Sequence, residues 1–235
     1  MKPIYIFRHI DIEGPGMLGE HLALRQLPSR LIKIDEGEAL PSDTRDMSGL
    51  ILLGGPMSVN EPHEWIAQEL ELIREAAANR LPVLGHCLGG QLISKALGGT
   101  ISANATKEIG WFEVACEAPS WCDRLPRHFS AFHWHGEIFT VPSGATSLFA
   151  SDHCPQQGFA YDRMLALQFH LEITATMLPQ WCQRYHEELA TCTGLASVQT
   201  AEQMIAGLKQ HLGAMRRHAG ILYDHWLHQG ELLQE

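Results

Sequence analysis

A chain of 235 residues can bury a substantial core, and 45% apolar against 19% charged residues is ordinary for a globular protein. With 27 acidic and 17 basic side chains the formal net charge is -10, which disfavours both a nucleic-acid backbone and an anionic membrane surface as partners. The apolar run at residues 3–7 is broken by Arg8 and His9 before a signal-peptide core can form, and no stretch approaches a membrane span.

The six cysteines (87, 116, 122, 154, 182 and 192) form no C-x-x-C pair. Without an export signal they read as reduced thiols of a cytoplasmic protein, so one of them is available as a nucleophile.

Along the chain, short apolar runs alternate with helical patterns, which suggests βαβ units and a mainly parallel sheet. Residues 3–7 and 31–34 read as strands around a short helix at 21–26. Residues 49–53 form a third strand that stops at Gly54-Gly55-Pro56. A helix over 63–79 carries Trp65, Ile66, Leu70, Ile73 and Ala77 at helical spacing. A buried strand at 82–85 runs into a helix over 88–97, closed by Gly98-Gly99. Strands are then expected at 111–116, 129–134, 158–160 and 164–169, with turn-rich loops between them. The chain turns helical from 174. Residues 201–218 form an amphipathic helix whose stripe (Ala201, Met204, Ile205, Leu208, Leu212, Met215) packs on the body or makes a homodimer contact. No internal boundary is evident, so residues 1–235 read as one domain with 197–235 as a helical C-terminal extension.

The segment most informative about chemistry is Leu84-Gly85-His86-Cys87-Leu88-Gly89-Gly90-Gln91. A strand enters Gly-x-Cys-x-Gly and leaves directly as a helix, the pattern of a nucleophile elbow with cysteine in the serine position. Glycines at 85 and 89 relieve crowding around the sharp turn. The thiol sits at a helix N-terminus, where the dipole and free N–H groups favour a thiolate, and the Leu88 N–H points at any oxyanion formed on an attacked carbonyl. Alone, the segment fits equally a small buried residue in a tight turn.

A base elsewhere supports the chemical reading. Leu165-Ala166-Leu167-Gln168-Phe169 is an apolar strand that ends in His170-Leu171-Glu172. Functional groups collect beyond the carboxyl ends of parallel strands, which brings His170 to Cys87. His170 can take the thiol proton, and Glu172 can fix the imidazole tautomer.

These residues resemble a known family. Gly85-His86-Cys87-Leu88-Gly89-Gly90-Gln91 is similar to the G-x-C-x-G-x-Q signature of class I glutamine amidotransferases, and Gln168-Phe169-His170-Leu171-Glu172 to their Q-F-H-P-E. Leu52-Leu53-Gly54-Gly55-Pro56 resembles the turn that supplies a second oxyanion donor, here the Gly55 N–H. The likeness is greatest to free-standing proteins that resemble the amidotransferase domain of GMP synthase.

The resemblance implies a flavodoxin-like open sheet flanked by helices, with a small antiparallel region. It implies a γ-glutamyl thioester on Cys87, no cofactor, and Gly54, Gly55 and Gln91 holding the glutamyl group. The segment Trp134-His135-Gly136-Glu137 resembles a loop beside that pocket. Gly90 and Leu171 depart from the family pattern, which usually has a larger residue and proline there, and this puts substrate and partner choice in doubt. No synthase module follows, so any ammonia acceptor is expected on a separate subunit.

Three readings follow: hydrolysis of a small-molecule glutamine-type amide with ammonia passed on, a self-sufficient γ-glutamyl hydrolase, or a catalytically silent regulatory protein on the same fold. His128, His133, His135 and His153 show no compact ligand motif, so no metal is expected. Gly14-Pro15-Gly16 reads as a loop near the strand ends, bordering the site.

Overall fold

The structure, a computed structural model, describes residues 2–233 apart from the side chains of Pro119 and Cys122. The two ends of the expected 1–235 domain, residues 1, 234 and 235, lie outside the described residues. The first half runs β1 (Ile4–Arg8), α1 (Gly16–Leu24), β2 (Ser29–Lys33), β3 (Gly49–Leu52), α2 (Glu64–Ala78), β4 (Val83–His86) and α3 (Leu88–Ala96). The second half runs β5 (Ile101–Cys116), α4 (Pro119–Cys122), β6 (His128–Phe139), β7 (Thr146–Ala150), β8 (Gly158–Tyr161) and β9 (Met164–Leu167). It closes with α5 (Met177–Arg184), α6 (His186–Thr191) and α7 (Ala201–Gln229).

Among the described residues all nine strands form one sheet in the order β2-β1-β3-β4-β9-β8-β7-β5-β6. The first five pair in parallel. The remainder pair antiparallel, around the long β5–β6 ladder. This is the expected flavodoxin-like open sheet with its antiparallel region.

The central strands read as unbroken apolar runs because both faces are covered. Ile4, Ile6, Ile51, Leu84, Leu165 and Leu167 face one core with α1, α5 and α7. Tyr5, Phe7, Leu50, Leu52, Val83 and Ala166 face the other with α2 and α3. At roughly 25 cal/mol per Å² these two layers are the main stabilising term.

The strand reading misses two features. β5 starts ten residues early, because its polar first half is held by pairing with β6 across a bulge between Ala103 and Glu108. β7 is the other, a short strand paired with β8 and with the end of β5. The last helix begins at a capping box, in which Thr200 accepts the Gln203 N–H and Gln203 reaches back to Thr200. It continues past His218 to Gln229 and buries Leu222, Tyr223, Trp226 and Leu227 against the body. Among the described residues no helix is long and apolar enough to cross a membrane. Cys87, Cys154, Cys182 and Cys192 are free thiols; Cys116 departs from the expectation and is disulfide-bonded, while the side chain of Cys122 lies outside the description.

Candidate active site

Cys87 stands between β4 and α3 with φ 49° and ψ -108°, a conformation that non-glycine residues seldom adopt. The surroundings hold it there. Its N–H donates to the Leu167 carbonyl at 2.8 Å, and its carbonyl accepts the Gln91 N–H at 3.0 Å. A Cβ on Gly85 would lie 2.4 Å from the Gly89 carbonyl carbon, and one on Gly89 would lie 2.1 Å from the Leu52 oxygen. Gly90, which sequence alone leaves as an unexplained departure, is settled by packing: a Cβ there would lie 2.6 Å from the Leu167 oxygen. Leu171, the other departure, is fully buried in the core on the α7 side.

His170 follows β9, and its backbone N–H is tied to the Phe132 carbonyl at 2.8 Å. Its Nδ1 lies 2.6 Å from Glu172 Oε1, with both side chains buried. Trp181 of α5 packs edge-on against the ring at 4.8 Å. The backbone of Glu172 is fixed by α1, whose Met17 N–H donates to the Glu172 carbonyl at 2.8 Å. Only glycine fits at 16, since a Cβ there would lie 2.0 Å from that carbonyl oxygen. The Gly14-Pro15-Gly16 loop thus borders the site, as its position in the chain suggests.

Electrostatics bind the group together. Burial pushes the His170 imidazole down, but the Glu172 charge and hydrogen bonds to Cys87 and Glu172 outweigh it and hold His170 well above its usual value. Burial pushes Glu172 up, but the His86 and His170 imidazoles bring its carboxyl down to about 2. The Cys87 thiol also faces the Trp134 carbonyl at 3.7 Å and the Gln168 Nε2 at 3.6 Å. A thiol, an imidazole and a carboxylate in this order can carry out nucleophilic attack with proton transfer.

The Gly54-Gly55 turn lies across from the elbow. A Cβ on Gly55 would sit 3.0 Å from Leu88 Cδ2, so the turn packs against the side chain of the residue after Cys87. His9 clamps the turn: Nδ1 faces the Gly54 carbonyl at 3.2 Å, and Nε2 faces Glu69 Oε1 of α2 at 3.0 Å.

Cys87, Gly55, Gln91 and the 134–136 segment line one cleft of ≈ 330 Å³, within the range of small-molecule sites. Gln91 donates to Gln168 Oε1 at 3.3 Å, which links it to the thiol through the Gln168 amide. His135 presents wall and backbone rather than a free ring nitrogen, because Nδ1 faces the Glu137 carbonyl and Nε2 faces Glu108.

Sequence reading missed Glu13, Tyr185 and Glu188. Glu13 is buried beside Gly54, accepts the Tyr185 hydroxyl at 2.7 Å, and is raised by burial despite the attraction of His170. Glu188 accepts the Trp134 indole N–H at 2.9 Å and pairs with Lys107. The only signal for Glu13 was its place before the glycine loop. Tyr185 and Glu188 come from a helix junction with no motif.

The fold also gathers Glu108, His133 and His135, whose ligand atoms lie within 4.8 Å of one another. Their spacing along the chain gives no hint of this. Hydrogen bonds occupy the Glu108 oxygens: Ser151 Oγ donates to Oε1 at 2.8 Å, and Gln157 Nε2 to Oε2 at 2.6 Å. This buried network ties β5 and β6 to the 151–157 loop and holds the segment that carries His135.

Fold and site together define a doubly wound α/β protein with an elbow cysteine beside an imidazole–carboxylate pair. Residues 17–183 match the family described as Glutamine amidotransferase class-I. The glutamine amidotransferase-like protein YfeJ of Salmonella typhimurium is 30% identical over 184 residues, which cover 74% of this chain and 77% of that one. A GMP synthase of Thermomicrobium roseum is 32% identical over 72% of this chain but only 32% of its own length. Among solved structures, a glutamine amidotransferase from Methylobacillus flagellatus superposes with a TM-score of 0.92 at 34% identity, over 100% of this chain and 96% of that one. Another, from Thermotoga maritima, gives 0.87 at 26% identity over 96% and 98%. The chain belongs to the class-I glutamine amidotransferase family.

Proposed function

We propose that this chain hydrolyses the side-chain amide of glutamine, or of a related γ-glutamyl compound, through a thioester on Cys87. The observation that carries the reading is the strained Cys87 elbow beside His170, whose far nitrogen is held 2.6 Å from Glu172. His170 takes the thiol proton as Sγ attacks the amide carbon. The oxyanion is met by the Leu88 and Gly55 N–H groups. His170 returns the proton to the departing nitrogen, ammonia leaves, and water cleaves the thioester to give glutamate. Gly54, Gly55, Gln91 and the Trp134-His135-Gly136 segment hold the glutamyl group. Ammonia then serves a separate synthase subunit, a reading supported by the GMP synthases whose matching part is about a third of their length.

A second reading rests on charge. The cleft carries Glu13, Glu61, Glu137 and Glu188, while its one lysine, Lys107, is paired with Glu188. Such a rim favours a cationic leaving group, and a γ-glutamyl amine fits it.

The test is ammonia release from L-glutamine by the purified protein beside a Cys87→Ser control. Turnover in the wild type that vanishes in the control supports the mechanism. Turnover that survives Cys87→Ser refutes it. Amine release from γ-glutamyl amines without glutamine turnover selects the second reading.

A further inference from the structure

One buried polar chain links the C-terminal helix to the proposed triad, and nothing in the triad chemistry accounts for it. His86, the residue before the nucleophile, is fully buried, and so is Tyr223 of α7. His86 Nδ1 faces two acceptors, the Phe169 carbonyl at 3.0 Å and Glu172 Oε2 at 3.3 Å. It therefore carries the ring proton. His86 Nε2 is then a lone pair, and the Tyr223 hydroxyl lies 3.1 Å from it as the donor. The His86 ring stacks parallel to His170 with centroids 6.5 Å apart.

Among the described residues, Glu172 Oε2 is buried and meets no donor at ordinary hydrogen-bond geometry. What faces it is the shared His86 N–H. Oε1 is taken by His170, so the two carboxylate oxygens look toward two imidazoles. Resting on the triad reading above, we propose that His86 and Tyr223 are positioning residues: Tyr223 fixes the His86 tautomer, and the His86 N–H holds Glu172 in the rotamer that orients His170.

Burial holds His86 below the ordinary histidine value, so near neutral pH it serves Glu172 as an N–H donor, and its own charge adds to the attraction on Glu172 only in acid. Burial likewise raises the Tyr223 hydroxyl well above its usual value, so it remains a donor. The other titratable groups that face this set are Cys87 at the start of α3, Glu13 before α1, His133 on β6, and His21 of α1, whose ring lies 5.7 Å from that of Tyr223 and whose Nε2 faces Asp224. None of them supplies a donor to Oε2. The C-terminal helix, which lies outside the region matching the family, thereby becomes part of the machinery rather than a passive cover.

The experiment uses the full chain with His86→Leu, His86→Asn and Tyr223→Phe. It measures the pH dependence of kcat and KM for glutamine, the pH dependence of Cys87 alkylation by iodoacetamide located by peptide mass, and Tm. Alkylation needs no substrate and reports the protonation of His170 next to the sulfur. His86→Leu should lower kcat about tenfold or more with KM within about twofold. It should also move the acidic limb of the alkylation profile down by about one pH unit, as Glu172 turns from His170 and burial lowers the imidazole that must be neutral to take the thiol proton.

His86→Asn, whose amide can present an N–H near the place of Nδ1, should recover most of both. Tyr223→Phe, which removes a single oxygen, should move both in the same direction by less. Unchanged kcat and an unmoved limb in His86→Leu and Tyr223→Phe, with only a lower Tm, overturn the proposal. If His86→Leu does not fold, Tyr223→Phe decides alone. A wild-type Cys87 that alkylates like the other free thiols overturns the triad reading itself, and the proposal with it.

Discussion

Replacing Glu172 by glutamine changes charge and hydrogen bonding with almost no change in shape. The carboxylate accepts from His170 Nδ1–H at 2.6 Å through one oxygen and faces His86 Nδ1–H at 3.3 Å with the other. An amide has one acceptor and one NH₂, so whichever way it sits, N–H meets N–H on one side. If the clash falls on His170, the ring must shift its proton to Nε2 and can no longer accept the Cys87 proton. By analogy with a serine-protease triad carrying the wrong tautomer, kcat should fall by roughly 10³–10⁴.

Stability gives a second, independent readout of the same change. Bringing the Glu172 carboxyl from 4.5 down to about 2 corresponds to a stabilisation on the order of 3 kcal/mol. The group is fully buried, so no screening discount applies, and its attraction to His170 is counted once. A depressed carboxyl stabilises above its unfolded value and loses that contribution as pH falls through its folded one. Wild-type unfolding free energy should therefore drop between about pH 5 and pH 2 by a component that Glu172→Gln lacks. Urea denaturation across that range, beside ammonia release at neutral pH, measures both. A variant with kcat within tenfold of wild type, or with an acid loss parallel to it, refutes the reasoning.

Gly89→Ala places a Cβ 2.1 Å from the Leu52 oxygen, so α3 and β3 must separate by about 1 Å, and a loss above about 2 kcal/mol is expected in urea. Gly98→Ala, at φ +89° in open space, should cost only about 1 kcal/mol; equal losses would show that the elbow is not tightly packed. His9 has a raised pKa, because Glu69 and the Gly54 carbonyl outweigh its burial. Its contribution is therefore complete below the ordinary histidine value and lost as pH rises through the raised one. Glu69→Gln should lower Tm most near pH 6 and converge on the wild type in alkali; parallel Tm curves contradict this.

Much of the site was legible because its residues are tied to the backbone. The Gly85–Gly89 elbow and the strand that ends at His170 each carry their geometry in a few adjacent residues. Steric conflict leaves few other ways to fold them. Four of the five parallel strands are equally local, since a strand buried on both faces must be largely apolar, whereas β2 at the sheet edge is half exposed. Where the sequence reading stopped short, the cause was a partner far along the chain. The first half of β5 is polar and is a strand only because β6 pairs with it. The helix after Thr200 runs to Gln229 because its last turns find a core to bury Tyr223 and Trp226 in.

The amino-acid order by itself therefore determined the class of fold and picked out the three residues proposed here as nucleophile, base and orienting carboxylate. Strand ends in a parallel sheet share one edge, so four short segments must converge there. Only the tertiary structure decided what surrounds them: Glu13 and Tyr185 in the cleft, the Glu108 network behind the 134–136 segment, and His86 joined to Tyr223 across 137 positions. A buried polar group must find a partner wherever the chain provides one, and no local pattern records from how far away that partner comes.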